Sequence, residues 1–266
     1  MRTDPLIRTR WVLTLLAGFV LGIHAAVAFH ELGHAAGYWQ SGGTVSRIVM
    51  LAPLPAGYVH GNGPTPWMHA WGGVVLGASS TLPALLLARC VPFGSPARYA
   101  ARMVAAFCLA HNGIYLFVGG LAPFADAQQM IGLGAPRWLL VLLGIPLLAG
   151  FVVVLASAIR MVGLPQDAPV SSWVLLVEAG MLPVPGLMGF AAWFLPAMAA
   201  ERLPMTLLVL GYATGFCTAA WRARSADRSA AGLKRELLPQ RWATAVVLLA
   251  AALLLITVEA LAFRPT

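Results

Sequence analysis

The sequence predicts an all-α membrane protein that crosses the bilayer about seven times, with a short β-hairpin or re-entrant loop after the first helix. Two observations predict this fold class: apolar runs of membrane-spanning length, and basic residues concentrated at the ends of those runs. The composition agrees, since 60% of the residues are hydrophobic and 10% are charged, against about 25% charged residues in a typical soluble domain. Such a chain needs lipid as the solvent for much of its surface.

The apolar runs set the number of crossings, because a transmembrane helix needs about 20 predominantly apolar residues. Seven runs are close to this length, at residues 11–38, 67–90, 99–121, 138–162, 171–198, 204–221 and 242–263. The fifth run contains Leu182-Pro183-Val184-Pro185-Gly186. We expect a kink or a local break there, because proline lacks the N–H that a helical hydrogen bond requires.

The net charge of +8 is explained by membrane topology rather than by nucleic acid. With the N-terminus in the cytoplasm, thirteen of the seventeen basic residues fall on the cytoplasmic side and four fall outside. This bias predicts seven crossings, an external C-terminus and a basic cytoplasmic loop over residues 222–241. No basic stripe is interleaved with aromatic residues, so we do not expect nucleic-acid binding.

The first apolar run carries the motif His30-Glu31-Leu32-Gly33-His34. Residues four apart share one face of a helix, so His30 and His34 can offer two imidazole nitrogens to one metal ion. Glu31 is displaced by one position and can act as a base on a water molecule at the metal, which is the pattern of zinc proteases. The alternative is a polar cluster that only joins helices, although ionisable groups inside an apolar helix tend to be functional.

A catalytic zinc site needs a third protein ligand, and Asp126 is the candidate. It follows the third apolar run, and few other acidic residues lie near membrane depth. The alternative is that Asp126 caps a helix over residues 127–133. Asn112, within the third run, is a candidate substrate-binding residue through its amide, with a polar contact between helices as the alternative.

The segment over residues 42–63 predicts the β-hairpin. Gly42 and Gly43 end the first helix, residues 44–50 are rich in β-branched side chains, and residues 51–57 are rich in turn formers. A strand edge beside the metal can hold an unwound substrate by strand addition. An ordinary connecting loop is the alternative.

These residues resemble the site-2 protease family of intramembrane metalloproteases, the M50 peptidases. The resemblance covers roughly residues 15–135, and its matching pieces are residues 29–36, Gly42-Gly43, residues 44–59 and residues 123–126. It implies three core membrane helices, a zinc ion held by His30, His34 and Asp126, and Glu31 as the catalytic base. The family usually has glycine after the aspartate, where this chain has Ala127.

The chain therefore divides into a metalloprotease-like part, residues 1–135, and four additional predicted helices in residues 136–266. The expected function is a zinc-dependent endopeptidase that cleaves a membrane protein or transmembrane peptide within or near the bilayer. A non-catalytic metal-binding or scaffold membrane protein is the alternative. The Ala, Arg and Gly content suggests a bacterial source, so we expect a multi-pass protein of the bacterial inner membrane.

Overall fold

The computed structural model describes residues 5–51, 56–164, 169–182, 185–186, 193, 202–229, 238 and 242–263. Over these residues the elements are α1 Pro5–Gln40, β1 Thr44–Met50, β2 Gly57–Asn62, α2 Pro66–Ser79, α3 Thr81–Cys90, α4 Pro96–Leu121, α5 Ala125–Gly132, α6 Arg137–Met161, α7 Val170–Met181, α8 Arg202–Ser229 and α9 Trp242–Ala262. Within them, six segments are long and apolar enough to cross a membrane: α1, α2 with α3, α4, α6, α8 and α9. The predicted all-α polytopic membrane fold is confirmed.

The fifth predicted span, over residues 171–198, begins as the shorter helix α7. This helix has twelve residues and ends at Met181, with Leu182 at its C-cap, beside the predicted break. Pro183 and Val184, which belong to that break, lie outside the described residues. The first part of the expected span is therefore a helix that is too short to cross a bilayer by itself.

Helices α6 and α8 run in the same direction. Their middles meet where the rings of Phe151 and Phe216 lie 6.2 Å apart, and their C-terminal ends line one groove. Near the opposite end, Trp193 donates its indole N–H to Thr206 Oγ1 over 2.9 Å. The C-terminal ends of α6 and α8 therefore lie on the same side of the bundle.

Helix α1 lies at the centre, and two glycine pairs let its neighbours approach closely. Gly18 and Gly22 face α4, whereas Gly33 and Gly37 face α2. A Cβ atom at Gly33 would lie only 2.2 Å from the carbonyl oxygen of Gly72. Because lipid gives no hydrophobic drive between helices, close packing of such small residues is a main source of association in membranes.

The strands β1 and β2 form an antiparallel hairpin, as predicted after the first helix. Thr44 pairs with Asn62 and Met50 pairs with Gly57, with an irregularity in between. Gly42 has a φ of +77°, the left-handed conformation that ends a helix and is available to glycine at little cost. The hairpin therefore begins immediately after α1 and lies beside its C-terminal half.

Candidate metal centre

Two histidines of α1 form the core of the candidate metal centre. His30 and His34 are one helical turn apart on the same face, and their Nε2 atoms lie 3.0 Å from each other. Their residues are 2% and 7% exposed. The spacing in the sequence thus leads to the local geometry that two ligands of one metal ion require.

Asp126, which lies in α5, contacts both histidines of α1. Its Oδ2 lies 2.7 Å from His30 Nε2 and 3.1 Å from His34 Nε2. The backbone turns sharply just before it, since Phe124 is extended and Ala125 has a φ of +43°. A non-glycine residue in this left-handed region costs about 1–3 kcal/mol, and such residues cluster at functional sites. Phe124 occupies the N-cap position of α5, so the capping alternative for Asp126 is wrong.

Hydrogen bonds at the other ring nitrogens decide which nitrogen each histidine offers. The Asn112 amide N–H donates to the Cys108 carbonyl over 2.7 Å, so Asn112 Oδ1 faces His30 and accepts from its Nδ1 over 2.9 Å. His34 Nδ1 donates to the His69 backbone carbonyl over 2.6 Å, because a carbonyl can only accept. In the neutral imidazoles both Nε2 atoms therefore carry a lone pair, as metal-binding histidines require.

Three acceptor atoms consequently lie close together: His30 Nε2, His34 Nε2 and Asp126 Oδ2. Burial raises the pKa of the Asp126 carboxyl, but when the imidazoles are protonated at Nε2, hydrogen bonding and charge from His30 and His34 outweigh burial and hold that pKa well below its usual range. The three ligand atoms lie within 4.8 Å of one another and repel unless a proton or metal ion lies between them. In tetrahedral zinc sites with Zn–N near 2.0–2.1 Å, neighbouring ligand atoms are roughly 3.3 Å apart. The donor set and its spacing therefore fit a metal ion.

Glu31 faces the same cavity from the next position of α1. It is 6% exposed, and its Oε2 has no hydrogen-bond partner among the described residues. The start of β2 packs directly on it, since a Cβ atom at Gly57 would lie 2.8 Å from Glu31 Cγ. A buried carboxylate with one uncommitted oxygen therefore lies in the same cavity as the three candidate ligands.

Helix α2 closes one wall of the site without filling it. A Cβ atom at Gly73 would lie 2.5 Å from His34 Nε2 and 2.8 Å from His30 Nε2. The absent side chain of Gly73 therefore leaves the room in which a ligand of both histidines can be bound.

The cavity beside the three candidate ligands has a volume of about 160 Å³. It is lined by α1, β2, the start of α2, α4 and α5, and its polar side chains include Tyr38, Tyr58, His69, His111, Tyr115 and Gln129. A helix with its side chains is about 10–12 Å across, which this space cannot admit.

Asn112 corrects one prediction. We expected its amide to contact a substrate, but the residue is completely buried and does not line the cavity. Both ends of the amide are occupied, one by Cys108 and the other by His30. The polar helix contact, given above as the alternative, is the arrangement observed. Asn112 is thus a positioning residue for His30.

Sequence reasoning also missed three residues because their partners are distant in the chain. His24 and Glu259 form a buried pair in which His24 Nδ1 and Glu259 Oε2 are 2.5 Å apart. His69 lines the cavity and stacks on Tyr38, with ring centroids 4.4 Å apart. The hydrophobic pattern assigns such residues to packing or to the membrane interface, since it carries no information about which helices are neighbours.

Comparisons of the chain with known protein families, with curated proteins and with solved structures give no match in any of the three. The described residues define a class, an integral membrane protein in which His30, His34 and Asp126 form a group that could hold a metal ion.

Proposed function

We propose that this protein is an intramembrane zinc-dependent endopeptidase. The observation that carries the proposal is the convergence of His30 Nε2, His34 Nε2 and Asp126 Oδ2 beside the uncommitted carboxylate of Glu31. These groups lie in one cavity within a bundle of membrane-spanning helices. The resemblance of residues 15–135 to the site-2 proteases supports the same reaction class.

The proposed chemistry is hydrolysis of a peptide bond by water. When bound, zinc supplies Lewis acidity, which lowers the pKa of a water molecule towards about 7 and polarises a peptide carbonyl. Glu31 takes the proton from the attacking water and returns it to the departing amine, so the same carboxylate serves as base and then as acid. Asn112 and the His69 carbonyl hold the two imidazoles in the orientation that the site needs.

The proposed substrate is a membrane-embedded segment that has unwound locally. In the described sheet, β2 pairs with β1 along one edge, and its residues Gly57, Tyr58 and Val59 line the cavity. Unwinding exposes amide groups that cost several kcal/mol each in lipid when they lack partners. Pairing with the free edge of β2 would compensate for that cost and present an extended peptide to Glu31.

We also propose the bacterial inner membrane as the location of the protein. Its α-helical spans and its Ala-, Arg- and Gly-rich composition support this assignment. The natural substrates in that compartment would be other helical membrane proteins.

The metal content of the protein purified in detergent tests the proposal. The wild type should hold about one zinc ion per chain, as a three-ligand catalytic site does. His34→Ala and Asp126→Ala should lose that zinc, because two remaining ligands do not retain it. A wild type that holds no zinc after reconstitution would overturn the assignment of the metal centre.

The variant Glu31→Gln separates an enzyme from a metal-binding protein without activity. It should retain zinc while cleavage of reconstituted transmembrane peptides falls by about 10²–10⁴-fold, the usual contribution of a general base. Glu178→Gln is the matched control, since this intramembrane glutamate contacts Cys217 and does not line the cavity. Equal cleavage by Glu31→Gln and the wild type would exclude the mechanism, and zinc without cleavage in the wild type would favour the non-catalytic alternative.

A further inference from the structure

A second cavity lies at the other end of the bundle, between the C-terminal ends of α6 and α8. Its volume is about 480 Å³, compared with about 160 Å³ for the cavity at the metal centre. Two arginines, Arg160 and Arg222, line it together with Trp221, two serines and the two valines Val153 and Val154. The proposed peptidase chemistry makes no use of this groove.

The two arginines have no counter-charge among the side chains that the structure describes. Neither Arg160 nor Arg222 makes a hydrogen bond or an ion pair with a described residue. Of the carboxylates whose side chains the structure describes, Glu31 and Asp126 lie at the metal centre, Glu178 contacts Cys217, and Glu259 pairs with His24. Two guanidinium groups on one groove therefore create a local positive potential that favours an anion.

The groove runs from the edge of the membrane into its apolar layer. The apolar spans of α6 and α8 end at Met161 and Ser225, so both arginines stand at the last turn of a span. Val153 lies seven residues before Arg160 on the same helix, which is about 10 Å deeper along the axis. Trp221 is 57% exposed beside them, and tryptophan at such a position typically marks the level of the lipid headgroups.

We propose that this groove binds an anionic phospholipid, with its phosphate between Arg160 and Arg222 and an acyl chain along Val153 and Val154. The planar guanidinium forks match the oxygens of a phosphate group. The two valines would contribute nothing to the binding of a free inorganic anion, whereas they can pack against a hydrocarbon chain. The distribution of basic residues places this end of the bundle at the cytoplasmic surface, where anionic lipids are attracted to basic side chains.

The test uses the full-length protein reconstituted in nanodiscs of phosphatidylcholine, into which increasing fractions of phosphatidylglycerol are introduced. Lipid retention is then measured by native mass spectrometry after gentle release. We expect selective retention of phosphatidylglycerol, weakened about fivefold by Arg160→Gln or Arg222→Gln and further by the double variant, in line with the usual contribution of one basic residue. Arg89→Gln is the matched control, because Arg89 is exposed at the same predicted membrane face but does not line the groove.

Arg160→Lys with Arg222→Lys keeps both charges and should keep most of the selectivity, which separates loss of binding from loss of folding. Competition with inorganic phosphate and glycerol phosphate distinguishes the sources of the anion. Equal retention of both lipids by the wild type, or unchanged selectivity in the double glutamine variant, would overturn the proposal. Displacement of phosphatidylglycerol by equimolar inorganic phosphate would also overturn it, because the two valines would then contribute nothing to lipid binding.

Discussion

The imidazole of His30 is engaged at both of its nitrogens, and this double engagement gives the site its rigidity. Asn112 Oδ1 accepts from Nδ1 and thereby determines the tautomer, and Asp126 Oδ2 lies beside Nε2. Asn112 is itself oriented by the Cys108 carbonyl. A chain of hydrogen bonds inside α4 therefore decides which way a side chain of α1 points, and we expect ligand affinity to depend on residues that never contact the ligand.

Asn112→Ala should weaken zinc binding about 10–100-fold, the usual cost of removing a hydrogen-bond partner behind a metal-bound histidine. Competition with a zinc chelator measures the change. Asn62→Ala provides the control, because Asn62 is exposed at the end of β2 and far along the chain from the ligands. Unchanged zinc affinity in Asn112→Ala would show that His30 needs no orientation by α4.

Ala127 shows how a single methyl group is accommodated beside a ligand. The site-2 protease pattern usually has glycine at this position, after the aspartate. Here the methyl group of Ala127 packs over Gly119 of α4, where an added Cβ atom would lie 2.2 Å away. The extra methyl group thus replaces the side chain that Gly119 lacks, and Asp126 can still reach the histidines.

At the scale of elements, the contact between α1 and α2 both builds the bundle and shapes the site. Gly33 and Gly72 bring the two backbones together, and Gly73 is thereby placed against the imidazoles. The glycines cost helix propensity, about 1 kcal/mol each relative to alanine. Their lack of a side chain leaves the space that the helix contact and the ligand require.

Gly73→Ala should abolish zinc binding, because the new methyl group would lie 2.5 Å from His34 Nε2. Metal analysis of the purified variant measures this loss. Gly132→Ala is the matched control, since a Cβ atom at Gly132 meets nothing within 4 Å. Full zinc occupancy in Gly73→Ala would mean that the ligands do not use the space beside this glycine.

The buried pair of His24 and Glu259 joins α1 to α9 within the membrane. Glu259 Oε1 has no further partner among the described residues, so the carboxylate depends on His24. Glu259→Leu or His24→Leu should each lower the free energy of unfolding in detergent by about 1–2 kcal/mol, because one polar group then remains buried without its partner. The double leucine variant should lose less than the sum of the two, which thermal unfolding can measure. Strictly additive losses would show that the pair contributes no coupling.

At the scale of the whole molecule, the two proposed sites lie at opposite ends of the bundle. The metal centre combines the C-terminal half of α1 with the start of α2 and the segment after α4. The arginine groove lies where α6 and α8 end. The distribution of basic residues predicts that the metal centre is nearer the outer face and that the groove is at the cytoplasmic face.

Cys90 provides a native probe of this orientation. It is exposed at the end of α3, whereas Cys108 is buried. A membrane-impermeant maleimide should label Cys90 in inside-out vesicles and not in intact cells, with Cys90→Ser as the control for background labelling. Labelling from the outside only would reverse the orientation and place the metal centre nearer the cytoplasm.

The sequence by itself determined the membrane class, most of the helices, the hairpin and the pairing of His30 with His34. These features depend on hydropathy and on the helical repeat, which are properties of neighbouring positions in one chain. Only the tertiary structure decided that Asp126 reaches both imidazoles, that Asn112 supports His30 instead of facing the cavity, and that Glu259 pairs with His24. These contacts depend on which helices are neighbours and how each is rotated, and in lipid that choice follows from the packing of small residues such as Gly33 and Gly72.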